Sequence, residues 1–209
     1  MKSAALIFIC LFVVFAGSAT EPAPKKKILV VGFSNSYFNS NAYQKIAKIN
    51  NASEDSLFLL INNKLLESFN ENLNSNFEFT SVQDIKKLSI KSSFPIHYLM
   101  PETEKEITSV EVSQYDLKKL GEYYNADIIL FVNSYELNWE EDPYLAYLHI
   151  LDCEAYTKYG EKISAERVSF MMDDVKLKEK YNGKLTKQLS RVIKKLEKVK
   201  VENNALVNK

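Results

Sequence analysis

The stretch from Ser113 to Tyr135 constrains the fold more than any other part of the chain. Ser113 stands three residues before Asp116, an arrangement close to a capping box, and Leu117, Leu120 and Tyr124 recur on one helical face. Asn125 suits the left-handed residue that closes a helix. Ala126–Tyr135 (ADIILFVNSY) then follows at once as an apolar strand. A helix turning tightly into a strand that is apolar on both faces predicts a parallel crossover with helices above and below the sheet. Ile28–Val31, ending at Gly32, is a second run of this kind, and the two are expected to lie side by side at the centre.

The other segments fill out this frame. Leu57, Ile61, Leu65, Phe69 and Leu73 recur every fourth residue, with Phe58 widening the stripe and Ser53 placed to cap it. Phe77–Val82 alternates and reads as a strand near an edge. Asn138–Pro143 (NWEEDP) reads as a turn, followed by strands over Tyr144–Tyr156 and Lys162–Met172 joined in a hairpin at Lys158-Tyr159-Gly160. A last helix is predicted from about Gly183, with Leu185, Leu189, Val192, Leu196 and Val199 on its apolar stripe. Ser34–Asn51 reads as a long loop with a helical turn at Ala42–Ile49. Residues 84–112 show no clear period and are treated as an insertion. The fold class is therefore α/β (an α+β sandwich) with a mixed sheet, element order β-α-β-α-β-β-β-α, and helices on both faces. One domain is expected over 28–202, with 203–209 as a tail.

The amino terminus has Lys2, an apolar run from Ala4 to Ala16 and then Gly17, Ser18 and Ala19. This order predicts a cleavable secretion signal over residues 1–19, a leader over 20–27 and an exported, periplasmic or secreted protein with no integral membrane span after cleavage. Cys10 lies inside the apolar run after bulky Ile9, which does not suit lipidation. Beyond the signal the chain holds only Cys153, so no internal disulfide is expected. Formal charges balance at 27 against 27, which gives no general argument for nucleic acid as a partner. Their distribution is uneven, with eleven acids and three lysines from Glu102 to Asp142, and ten bases against two acids from Val175 to Lys200. The basic face of the last helix, including Lys187, Arg191 and Lys194, is either solubilising surface or a contact for an acidic partner.

Residue chemistry argues against most enzymes. Gly32-Phe-Ser34-Asn-Ser36 follows a strand, but a nucleophile elbow wants glycine where Ser36 stands. Glycine-aspartate-serine esterases would need an aspartate at Phe33 and a late Asp-x-x-His, which the chain lacks. The two histidines, His97 and His149, sit at neither catalytic nor metal-ligand spacing, so neither a metal nor a cofactor is expected. Cys153, between Asp152 and Glu154, reads as buried and inert. Tyr37, Trp139 and Tyr144, with Tyr43 and Tyr147, fall in or beside loops, where aromatic side chains either anchor a partner or simply pack.

Three segments carry a family likeness. Lys27-Ile-Leu-Val-Val-Gly-Phe opens the domain; Tyr123-Tyr-Asn-Ala-Asp-Ile-Ile-Leu-Phe-Val closes a helix into a strand. Leu148-His-Ile-Leu-Asp152-Cys with Gly160-Glu-Lys-Ile looks like a strand ending in aspartate, then a Gly-Glu turn into the next strand. In this the chain resembles a bacterial envelope superfamily, in topology more than in residues. That group includes the curli-secretion lipoprotein, the outer-membrane lipoprotein activators of penicillin-binding proteins and the amino-terminal domain of the Tol-system β-propeller protein. The chain departs from it in lacking a lipobox cysteine, in the insertion at 84–112 and in a longer turn after Asp152. The resemblance implies a non-enzymatic accessory or assembly module that binds other cell-envelope proteins. The alternative is a small α/β hydrolase or ligand-binding protein with a site near Ser34–Ser36.

Overall fold

The computed structural model describes residues 25–33, 38–71, 76–82, 97–99, 108–142, 145–176 and 179–198. Residues 1–24 with the expected secretion signal, the Ser34–Ser36 loop, Tyr37, Tyr144, residues 203–209 and most of the expected insertion lie outside the described residues.

The central prediction holds. Strand β1 (Lys26–Val31) pairs in parallel with β6 (Ile128–Glu140) on one side and with β3 (Phe77–Val82) on the other. Antiparallel β7 (Ala146–Thr157) and β8 (Lys162–Met172) extend the sheet in the order β3-β1-β6-β7-β8. A two-residue strand, β2 (Phe38–Asn39), joins β6 beyond the end of β1, so β6 has two successive parallel partners. β3 and β8 are the edges, as the alternation of Phe77–Val82 suggested for β3.

Both faces of the central strands are buried by helices. One face carries α1 (Tyr43–Ile49), α2 (Glu54–Asn70) and α4 (Glu179–Glu197), whose Leu57, Ile61, Leu65, Phe69, Leu185, Leu189 and Leu196 pack on Ile28, Val30, Leu130 and Val132. The opposite face carries α3 (Gln114–Tyr123), whose Leu117 and Leu120 pack on Leu29, Val31, Ile129 and Phe131. Burying β1 and β6 on both sides is what makes their sequences continuously apolar. Ser53 and Ser113 cap α2 and α3, accepting from the amides of Ser56 and Asp116, and Asn125 takes the left-handed conformation at φ 50°.

Some expectations need correction. β6 runs on to Glu140, so Asn138 and Trp139 are strand rather than turn. A bulge lies between Val132 and Ser134, and beyond it Tyr135 and Leu137 remain in the core while Glu136 and Asn138 are only partly buried. α4 starts at Glu179 rather than Gly183, because Tyr181 is already on its buried stripe. The expected hairpin is present: β7 runs to Thr157 and reverses at Lys158–Gly160 into β8. The inserted segment contributes a small antiparallel ribbon of β4 (His97–Leu99) and β5 (Ser109–Glu111).

Candidate functional site

The outer end of β6 is built as a presented rim. Beyond β2, Ser40 Oγ donates to the Leu137 carbonyl, and Asn41 takes over the role of a strand partner with its side chain. Its Oδ1 accepts from the Trp139 amide at 2.6 Å, and its Nδ2 donates to the Trp139 carbonyl at 3.1 Å. The Asn41 amide in turn donates to Asn138 Oδ1 at 3.1 Å. This clasp fixes both the strand end and the start of α1, which brings Lys45 over the aromatic side chains. The Lys45 ammonium lies 4.3 Å from the Trp139 ring centroid and 5.6 Å from that of Tyr147, and the two rings are 4.7 Å apart. Contacts of this kind contribute about 0.5–1 kcal/mol at exposed sites.

Around this stack opens a recess of about 680 Å3, lined by Asn41, Tyr43, Gln44, Lys45, Trp139 and Glu141 among others. At the base of the adjoining hairpin, Leu145 is held at φ 44° with 66% of its surface exposed. A left-handed leucine is uncommon and strained, and here it turns a large apolar side chain outward. An aromatic face, a cation, a carboxylate and amide groups are binding chemistry, without a paired nucleophile and base.

On the opposite face the sheet holds the inserted ribbon by its backbone. Asp152 and Glu154, both fully buried, accept from the amides of Thr108 at 2.8 Å and Val110 at 2.7 Å. Asn133 Nδ2 donates to the Thr108 carbonyl at 2.7 Å, and the Tyr156 hydroxyl donates to the Val110 carbonyl at 3.3 Å. Carboxylates two residues apart on one strand match amides two residues apart on another, because both repeat every second residue on one side. Four side chains thus stand in for a neighbouring strand and satisfy the edge of β5. The buried charges are balanced from β8, where Arg167 makes a two-pronged bond to Asp152 at 2.8 and 2.9 Å and Lys162 pairs with Glu154. The Tyr156 hydroxyl is pushed up in pKa by burial and then by the Glu154 carboxylate.

His149 has a structural place. Its Nδ1 is 2.7 Å from the Tyr135 hydroxyl, which is 2.8 Å from the Tyr181 hydroxyl of α4, and its ring stacks on Phe170 at 4.6 Å. Burial, with Lys184 nearby, lowers its pKa to about 3, so the ring is neutral. Burial and then the charges of Asp152, Glu166 and Glu154 push the Cys153 thiol well up, in line with an inert cysteine.

Of the residues singled out from sequence, Trp139 is at the recess, and Lys187, Arg191 and Lys194 are exposed on α4, a separate element. Tyr37 and Tyr144 lie outside the described residues. Sequence reasoning missed Asn41, Lys45 and Leu145, since no local pattern marks a side-chain amide that acts as a strand partner. Asp152 and Glu154 did leave a signal. Two acids alternating in an otherwise apolar strand share one face, and Lys162 and Arg167 stand on the next strand.

Among the described residues no helix is long and apolar enough to cross a membrane, and no cluster of three or more His, Cys, Asp or Glu side chains is placed to hold a metal ion. Compared with protein-family models and with curated proteins, the chain matches none.

Proposed function

We propose that this protein is an exported, non-enzymatic accessory or assembly module that binds other cell-envelope proteins through the rim around Trp139. The observation that carries the reading is the Lys45–Trp139–Tyr147 stack, whose Lys45 and Trp139 line a recess, together with an exposed Leu145 at positive φ just before β7. Tryptophan and tyrosine are among the residues enriched at the energetic hot spots of protein interfaces. The export signal and the resemblance to the envelope superfamily support the same reading.

The test is affinity capture from the native envelope with wild type, Trp139→Ala and Leu145→Gly. Glycine relieves the positive φ, so Leu145→Gly should melt at or above the wild-type temperature, a gain of about 1 kcal/mol. Both variants are expected to lose specific partners that wild type retains. Unchanged recovery with both variants would remove the rim from the account. Intact mass of protein from its host addresses export: a species beginning near Thr20 is expected, and one retaining Met1 contradicts it.

A further inference from the structure

Every apolar side chain of α4 from Tyr181 to Leu196 is turned inward and buried, which leaves its outer face to cations. Lys187, Arg191 and Lys194 are exposed on the helix and Lys198 follows in its closing turn. At 3.6 residues per turn the four lie within about 60° of one another, along roughly 16 Å of axis. Neighbouring lysines are engaged, Lys195 with Glu166 and Lys184 with the Met171 carbonyl. The four of the stripe make no ion pair among the described residues.

We infer that this stripe is a docking surface for an anionic phospholipid bilayer, on which the protein rests peripherally. The charge fixes the sign of the partner, and the absence of any exposed apolar anchor among the described residues of α4 fixes its kind. Protein interfaces are depleted in lysine, and three of the four residues of this stripe are lysines. A headgroup layer stays hydrated and extended, and it attracts lysines and arginines without contact burial; each contributes about a fivefold gain in partitioning. The stripe is separate in sequence and element from the Trp139 rim.

Sedimentation of the purified protein with vesicles tests this directly. Vesicles of phosphatidylcholine alone are compared with vesicles containing one third phosphatidylglycerol, at low and high salt. Binding to the anionic vesicles alone, lost at high salt, is expected. Lys187→Glu, Arg191→Glu and Lys194→Glu together should weaken it at least tenfold with an unchanged thermal melt, whereas Lys118→Glu with Lys119→Glu on α3 should leave it intact. No binding by wild type overturns the proposal, as does equal loss in both sets of variants. Equal binding to neutral vesicles would also overturn it, and so would retention of a polyglutamate or nucleic-acid probe without vesicle binding.

Discussion

The two halves of β6 follow different rules although they form one continuous strand. From Ile128 to Val132 every residue is buried, with β1 on one side, β7 on the other, and helices over both faces. After the bulge, Tyr135 to Glu140 pairs with β7 on one side, but on the other it has only two residues of β2 and then the side chains of Ser40 and Asn41. Both halves pack into the core, where Tyr135 and Leu137 are fully buried, but the second half also relies on side-chain hydrogen bonds along its outer edge. The lesson is that the recess sits where the neighbouring strand gives out: Trp139, only partly buried against the core, lies on an edge that side chains rather than a full strand support.

The sharpest way to break the comparison is to charge the inner half. Ile129→Asp places an unpaired carboxylate between Leu117, Leu120 and the sheet, and cooperative folding should be lost altogether. A normal thermal melt would show that this half is not the core.

Next comes the junction, where Ser134 donates to Asp152 just past the bulge. Asp152→Ala removes the acceptor of the Thr108 amide and leaves Arg167 without its buried partner. A loss of about 3 kcal/mol is expected by chemical denaturation. A loss below about 1 kcal/mol would mean that the ribbon is not anchored through Asp152.

A smaller effect is expected from pH, through the Tyr135–His149–Tyr181 network that ties the outer half of β6 to α4. The folded pKa of His149, about 3, lies below the ordinary value of 6.5, so the unfolded chain takes up a proton that the folded one refuses. Its contribution is complete above about pH 6.5 and falls away as the pH drops toward 3. At pH 5 that is a loss of about 2 kcal/mol. His149→Gln should remove this part of the acid sensitivity; denaturation curves for the two proteins that shift in parallel between pH 7 and 5 would contradict it.

What the sequence made legible divides along the same line. The stripes of α2 and α4, the caps at Ser53 and Ser113, and the paired runs at Ile28 and Ile128 are periodic signals, because packing acts on side-chain spacing. The outer half of β6 was hidden for a physical reason. Glu140-Glu141-Asp142-Pro143 has turn composition, and its influence masked the alternation that carries the strand through Trp139. The Asn41 clasp and the hold of Asp152 and Glu154 on β5 link groups far apart in the chain, and side-chain-to-backbone bonds leave no periodic trace. Lys45 could be recognised as a site residue only once α1 was seen to place it on Trp139.

Amide hydrogen exchange along β6 is the most direct test of the claim that this strand is part core and part presented rim. In wild type, the amides of Ile129–Val132 should exchange only through global unfolding, and the Trp139 amide through a lower-energy local opening. In Asn41→Ala, the Trp139 amide should exchange faster still, while Ile129–Val132 change no more than global stability does. Uniform protection from Ile129 to Trp139, unaffected by the loss of Asn41, would contradict the account.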